Sequence, residues 1–315
     1  MSRKLILGLG LLAGITVVVA AFAPYLGAEY LLRQHGAIIG ASPVQAVRGH
    51  WFDDYFLVET LDASTYAIGE PRYYQGNYSY LILGTQRAVL FDAGTGQRDL
   101  VPVVRSLTSL PVTVIPSHLH FDHVGALGRF ERTALLDLAP LRSRIRDGRL
   151  HLDRYEFLGF ADSLPQPSFA VNEWWAPDST IDLGGRTLRV LSTPGHTSSS
   201  AALYDVARHW LFAGDFIYPG TLYAFLPDAS RREYQATTRR LLTLLDPDAR
   251  IYAAHMADDP ATVSAPVLEL ADLRALERTL EDIGNGELSA TGFYPRRFPV
   301  RGMISFGTGY RWNNR

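Results

Sequence analysis

The stretch SHLHFDHVG, residues 117–125, decides how the rest of the chain is read. It sets His118, His120, Asp122 and His123 within six positions, and every one of them is a side chain that binds metal readily. The run before it, PVTVIPSH (111–118), has the Val, Ile and Thr content of a strand, so the cluster opens a loop at a strand's end. His118 and His120 are two apart and project to one side of an extended stretch, while Asp122 and His123 follow after a bend. A single ion does not easily take all four donors. Two neighbouring ions do, and they require further nitrogen and oxygen ligands from elsewhere in the chain.

Three candidates stand in the right setting. His196 lies in TPGHT, Asp215 in LFAGD and His255 in YAAH, each after an apolar strand-like run, and two of them next to glycine, where the backbone turns tightly. Of the remaining histidines, His35 and His50 have no companion at ligand spacing, His151 sits among charges in GRLHLDR and His209 beside a hairpin turn, and all four read as surface residues. The chain contains no cysteine, which excludes disulfides, thiolate nucleophiles and sulfur-held zinc. With 30 basic against 32 acidic residues in 315 and no basic block, nothing tracks a phosphate backbone, so nucleic acid is set aside. A hydrophobic content of 47% is ample for a large core.

Outward from the cluster, YSYLILG (78–84) and AVLFDAG (88–94) read as paired strands, and GQRDLVPVVRSLTSL (96–110) as a helix. TIDLGGRTLRVLSTPGHT and AALYDVARHWLFAGD read as hairpins that end at ligand-type residues. Helices follow at 230–245 and 265–284, a short strand RIYAAH lies between them, and closing strands occupy the last thirty residues. The segment 130–178 lacks a clean period and reads as an inserted cap.

The order of the motifs, H-x-H-x-D-H, then a PGHT histidine, a GD aspartate and a last histidine after a strand, resembles the metallo-beta-lactamase superfamily. Within it the chain is similar to the branch of glyoxalase II-type thioesterases and N-acyl homoserine lactonases, over roughly Tyr66 to His255. The resemblance implies an α/β fold, a four-layer αββα sandwich, filling residues 64–315. Carried across position by position, it implies that one divalent cation takes His118, His120 and His196, that a second takes Asp122, His123 and His255, and that Asp215 bridges them, zinc being the expected metal. Asp92 in FDAG matches the acidic residue such proteins set beside the ligands. Ser117 stands where many members have threonine, and Val124-Gly125-Ala126 replaces a commoner glycine pair; neither removes a ligand. Tyr218 lies three residues beyond Asp215, the offset at which the lactonases carry a tyrosine that hydrogen-bonds the substrate carbonyl, so the catalytic set implied is Asp122, Asp215 and Tyr218. A core aromatic is the competing reading of Tyr218.

Two cations sharing a water lower its pKa from about 15.7 towards neutrality and polarise a carbonyl, which suits hydrolysis of an acyl compound. The first expectation is a lactone of the N-acyl homoserine lactone kind. The alternatives are an acyl thioester, glyoxalase II-like or acyl-CoA-like, and a metal-binding protein of the same fold without useful turnover. The diiron oxygen-reducing relatives usually carry glutamate where this chain has His120, and beta-lactamases of the commonest type use a cysteine that it lacks. TLYAFLP (221–227) and Phe157, Phe160, Trp174 and Trp175 are candidate walls for an acyl chain. The scattered Arg239, Arg240 and Arg274 are a poor match to a glutathione-binding patch.

The N-terminus points to a membrane. After Arg3 and Lys4, the nineteen residues Leu5 to Ala23 carry no charge, long enough to cross a bilayer. Ala21-Phe22-Ala23 offers a cleavage site, but Pro24 behind it disfavours cleavage. The expectation is an anchor at 1–32, a tether at 33–63 and a catalytic body on the extracytoplasmic side, periplasmic in a bacterium, or secreted if the segment is removed.

Overall fold

The computed structural model describes residues 46–258 and 262–309, with Tyr25, Leu26 and Glu29. Apart from those three, the expected anchor at 1–32 lies outside the described residues. Among the described residues no helix is long and apolar enough to cross a membrane.

Two six-stranded sheets form the body. In the first, His50–Trp51, Leu57–Asp62, Thr65–Glu70, Asn77–Leu83, Ala88–Phe91 and Val112–Ile115 follow one another in space as in sequence. In the second the order is Thr180–Asp182, Thr187–Ser192, Ala201–Asp205, Trp210–Gly214, Arg250–Ala253 and Val267–Glu269. Neighbours are antiparallel except Ala88–Phe91 with Val112–Ile115, and Trp210–Gly214 with Arg250–Ala253, each pair joined through a helix.

The strands read as nearly unbroken apolar runs because both faces are covered. Tyr80, Ile82, Val89, Phe91 and Ile115 of the first sheet meet Leu188, Val190, Leu203, Phe212 and Tyr252 of the second in one buried cluster. The intervening residues point the other way. Leu81, Leu90 and Val114 pack with Val103 and Val104 of the helix Val101–Leu107. Leu191, Tyr204, Leu211 and Ile251 pack with Tyr234 and Leu241 of the helix Arg231–Leu244, and with Leu273, Leu276 and Leu280 of Leu270–Asn285. That alternation produces the layers helix, sheet, sheet, helix. A third sheet of Thr221–Ala224, Ile304–Thr308 and Arg296–Arg301 closes the helical side of the second.

The folded body begins earlier than the boundary expected at 64. Leu57 and Val58 are fully buried, and Leu57–Asp62 pairs along its length with Thr65–Glu70, so the last third of the range expected as tether carries a strand of the first sheet. The two ends of the segment 130–178 also belong to the body: Ala134–Leu136 pairs with Glu173–Trp175, and Trp175 is buried between the sheets. What lies between them is an excursion of short helices and a three-stranded sheet.

Candidate metal centre

Each candidate donor stands just beyond the C-terminal end of a strand. The chain leaves Val112–Ile115 into the 117–123 turn, Thr187–Ser192 into His196, Trp210–Gly214 into Asp215, and Arg250–Ala253 into His255. Gly214 makes the convergence possible: at φ +55 it brings its backbone so near Ser117 that a Cβ would lie 2.4 Å from the serine Cβ.

All seven side chains are buried and face one another. His118 Nε2 lies 2.7 Å from His120 Nδ1, which lies 3.2 Å from His196 Nε2. Three lone-pair nitrogens gathered like this repel unless a positive centre sits among them. Ligands about 2.0–2.1 Å from a tetrahedral zinc stand about 3.3 Å apart. On the other side, Asp122 Oδ2 is 3.3 Å from His123 Nε2 and 3.5 Å from His255 Nε2. Asp215 faces both groups, with Oδ1 3.2 Å from His123 Nε2 and 3.0 Å from His255 Nε2, and Oδ2 3.6 Å from His196 Nε2.

The outward nitrogens fix how the rings point. His196 Nδ1 donates to the Tyr223 carbonyl at 3.0 Å and His255 Nδ1 to the Gln75 carbonyl at 3.0 Å, which turns each Nε2 inward as the free donor atom. His123 Nδ1 meets Asp92 Oδ2 at 3.0 Å, and His118 Nδ1 meets Ser117 Oγ at 3.0 Å. Asp92 also accepts the Ser117 backbone N–H at 2.5 Å, tying the strand Ala88–Phe91 to the start of the histidine turn. Among the described residues, His123 Nε2 and Asp215 Oδ1 are buried without a hydrogen-bond partner. Such atoms are expensive to leave unpaired, and a cation satisfies both. The donor set therefore fits a divalent metal.

Electrostatics divides the site. Burial, reinforced by His123 and His120, pushes the His118 imidazole far below its ordinary value; burial and His196 bring His120 down to about 3, and burial lowers His196. Burial also opposes charge on His123 and His255. There it is outweighed, by Asp122, Asp215 and Asp92 at His123 and by Asp215 and Asp122 at His255, so both are raised. Burial would raise Asp215 and Asp122 too, but the neighbouring imidazoles hold both below the usual carboxylate range. One group is neutral nitrogen and the other carries ionised carboxylate.

Residues 73–255 match the Metallo-beta-lactamase superfamily. The chain belongs to that superfamily. Among curated proteins, this superfamily member is 29% identical over 219 residues to acyl-coenzyme A thioesterase MBLAC2 of Gallus gallus, covering 61% of this chain and 77% of the relative. It is 29% identical over 188 residues to hydroxyacylglutathione hydrolase of Aeromonas hydrophila, covering 58% of this chain and 62% of the relative. A solved metallo-beta-lactamase from Pontibacter korlensis superposes with a TM-score of 0.54 at 18% identity, covering 72% of this chain and 99% of that one, and shows the fold.

Tyr218 is near the donors but turned from them. Its ring packs edge-on against His255 with centroids 5.2 Å apart, and its hydroxyl donates to the Thr221 carbonyl. Trp174 lies under the Arg142 guanidinium, 4.5 Å away, and Phe157 is buried in the cluster beneath the first sheet. Asn77, Gln75 and the Tyr223 carbonyl, all in contact with donors, were not among the candidates drawn from sequence.

Proposed function

We propose that this chain is a hydrolase of acyl thioesters that works with two divalent cations, zinc by preference. The observation that carries the proposal is the pair of buried donor groups joined by Asp215. His118, His120 and His196 would hold one cation, Asp122, His123 and His255 the other, with Asp215 between. When bound, the cations supply a water of lowered pKa and a Lewis acid for the substrate carbonyl. Asp122 and Asp215, both ionised, orient that water through their acceptor oxygens, and the buried rings exclude bulk solvent.

The order of substrates is reversed from the sequence reading, which set a lactone first. Both curated relatives described above are named for thioester cleavage. The tyrosine that favoured a lactone spends its hydroxyl on the Thr221 carbonyl. A thiolate, of pKa about 8.5, departs without a proton donor, whereas the alkoxide of a lactone needs one. The run Leu5–Ala23 belongs to this proposal as a membrane anchor with the body outside the cytoplasm, to be checked by carbonate extraction of membranes and by protease access from the outer side.

The test is thiol release from acetyl-, octanoyl- and palmitoyl-coenzyme A and from an acylglutathione, alongside ring opening of an N-acyl homoserine lactone, with the zinc-loaded full chain in detergent. Thioester kcat/KM at least tenfold above the lactone value, and lost on chelation, is expected. A faster lactone would restore the first reading, and no turnover of any substrate would favour a metal-binding protein.

A further inference from the structure

Asn77 opens the strand Asn77–Leu83 and is buried, 2% exposed. Its side-chain Nδ2 is 3.0 Å from Asp122 Oδ2 and 3.2 Å from the Asp122 carbonyl oxygen. Both neighbours only accept, so the amide nitrogen must face them. Asp122 Oδ2 is the same oxygen that looks at His123 and His255.

The backbone around Asn77 holds the other half of that group. Asn77 forms an isolated antiparallel bridge with His255, Tyr78 N–H donates to the Ala254 carbonyl at 2.7 Å, and Met256 N–H to the Gly76 carbonyl at 3.1 Å. Gln75 supplies the carbonyl that turns His255. Residues 75–78 thus fix Asp122 through one side chain and His255 through the main chain. The His118, His120 and His196 group is fixed from elsewhere, by Ser117 and the Tyr223 carbonyl.

We infer that Asn77 is a positioning residue that sets the cation affinity of the Asp122–His123–His255 group independently of the His118–His120–His196 group. The inference rests on the two-cation reading above. A carboxylate ligand left free to rotate must be ordered as the metal binds, and losing such an outer partner lowers affinity about 10–100-fold.

The experiment measures zinc bound per chain and stepwise affinities, by competition with chelating dyes, for the full chain and for Asn77→Leu, which keeps the branched four-atom skeleton and removes the donor. The second affinity should fall 10–100-fold while the first stays within about twofold. His255→Ala assigns the step: it should remove the same cation, and Asn77→Leu combined with His255→Ala should bind one cation as tightly as His255→Ala alone. If Asn77→Leu does not fold by circular dichroism, Asn77→Ala, which adds no bulk, carries the test. Two cations bound with unchanged affinities would overturn the inference, as would an equal fall in both, which marks a merely structural role. A wild-type chain that binds only one cation would overturn the two-cation reading itself and this inference with it.

Discussion

Asp92→Asn separates the charge of Asp92 from its shape. The carboxylate accepts the Ser117 N–H at 2.5 Å through Oδ1 and faces His123 Nδ1 at 3.0 Å through Oδ2. In the variant, the amide oxygen keeps the Ser117 bond, which leaves the NH2 group against His123. Once neutral, as metal binding requires, that ring must accept at Nδ1 and carry its hydrogen on Nε2, the atom that lies 3.3 Å from Asp122 and 3.2 Å from Asp215. An N–H cannot ligate a metal, so binding must first reverse the tautomer against the amide. Disturbing a partner of this kind lowers metal affinity about 10–100-fold, or about 1.4–2.7 kcal/mol. The metal-free fold should lose only the difference between a charge-assisted and a neutral hydrogen bond, about 1 kcal/mol, or about 2–4 °C in Tm for a body of this size. Zinc titration against a chelating dye, with calorimetric melting of the metal-free protein, measures both. An Asp92→Asn protein that binds zinc as tightly as wild type would refute the tautomer reasoning.

Other consequences follow from single contacts. Asp205 is fully buried and pairs with Arg186 at 2.8 Å, so Asp205→Ala should lose about 3–5 kcal/mol in urea unfolding, and combining it with Arg186→Met should recover much of the loss. Gly94 has φ +59 and a Cβ there would lie 2.0 Å from Glu70 Oε1, the atom that accepts the Thr95 N–H; Gly94→Ala should lose more than about 1 kcal/mol by the same measurement. Acid should empty the two donor groups in order. An imidazole of raised pKa keeps its proton to higher pH and competes with the cation there, so the group with His123 and His255 should release zinc at a higher pH than the one with His118, His120 and His196. Bound zinc recorded against pH in wild type and in His255→Ala shows the order; release of both together would contradict it.

The convergence of the seven candidate side chains was legible because imidazole and carboxylate are scarce at such spacing, and because each sits where an apolar run stops. The layers came from the resemblance; the residues alone carried the pairing of YSYLILG and AVLFDAG as strands, and their being apolar on both faces agrees with sheets covered on both sides. The contacts that aim the donors were not. Gln75 and Tyr223 act through main-chain carbonyls, which every residue possesses, and Asn77 looks like any polar residue ahead of a strand. Tyr218 was placed correctly in order beside Asp215, but sequence does not say where a hydroxyl points, and here it points at Thr221. The strand Leu57–Asp62 was read as part of the tether; the four buried residues Tyr55, Phe56, Leu57 and Val58 were the signal for it, behind the polar and aromatic HWFDD.

The most direct measurement is the zinc content of the purified, reconstituted full chain, read by plasma emission before and after removing one donor from each group. Two ions per chain, falling to one in His196→Ala and to one in His255→Ala, is the result expected of two groups sharing Asp215. One ion or fewer in wild type, or a content that neither substitution changes, would contradict it.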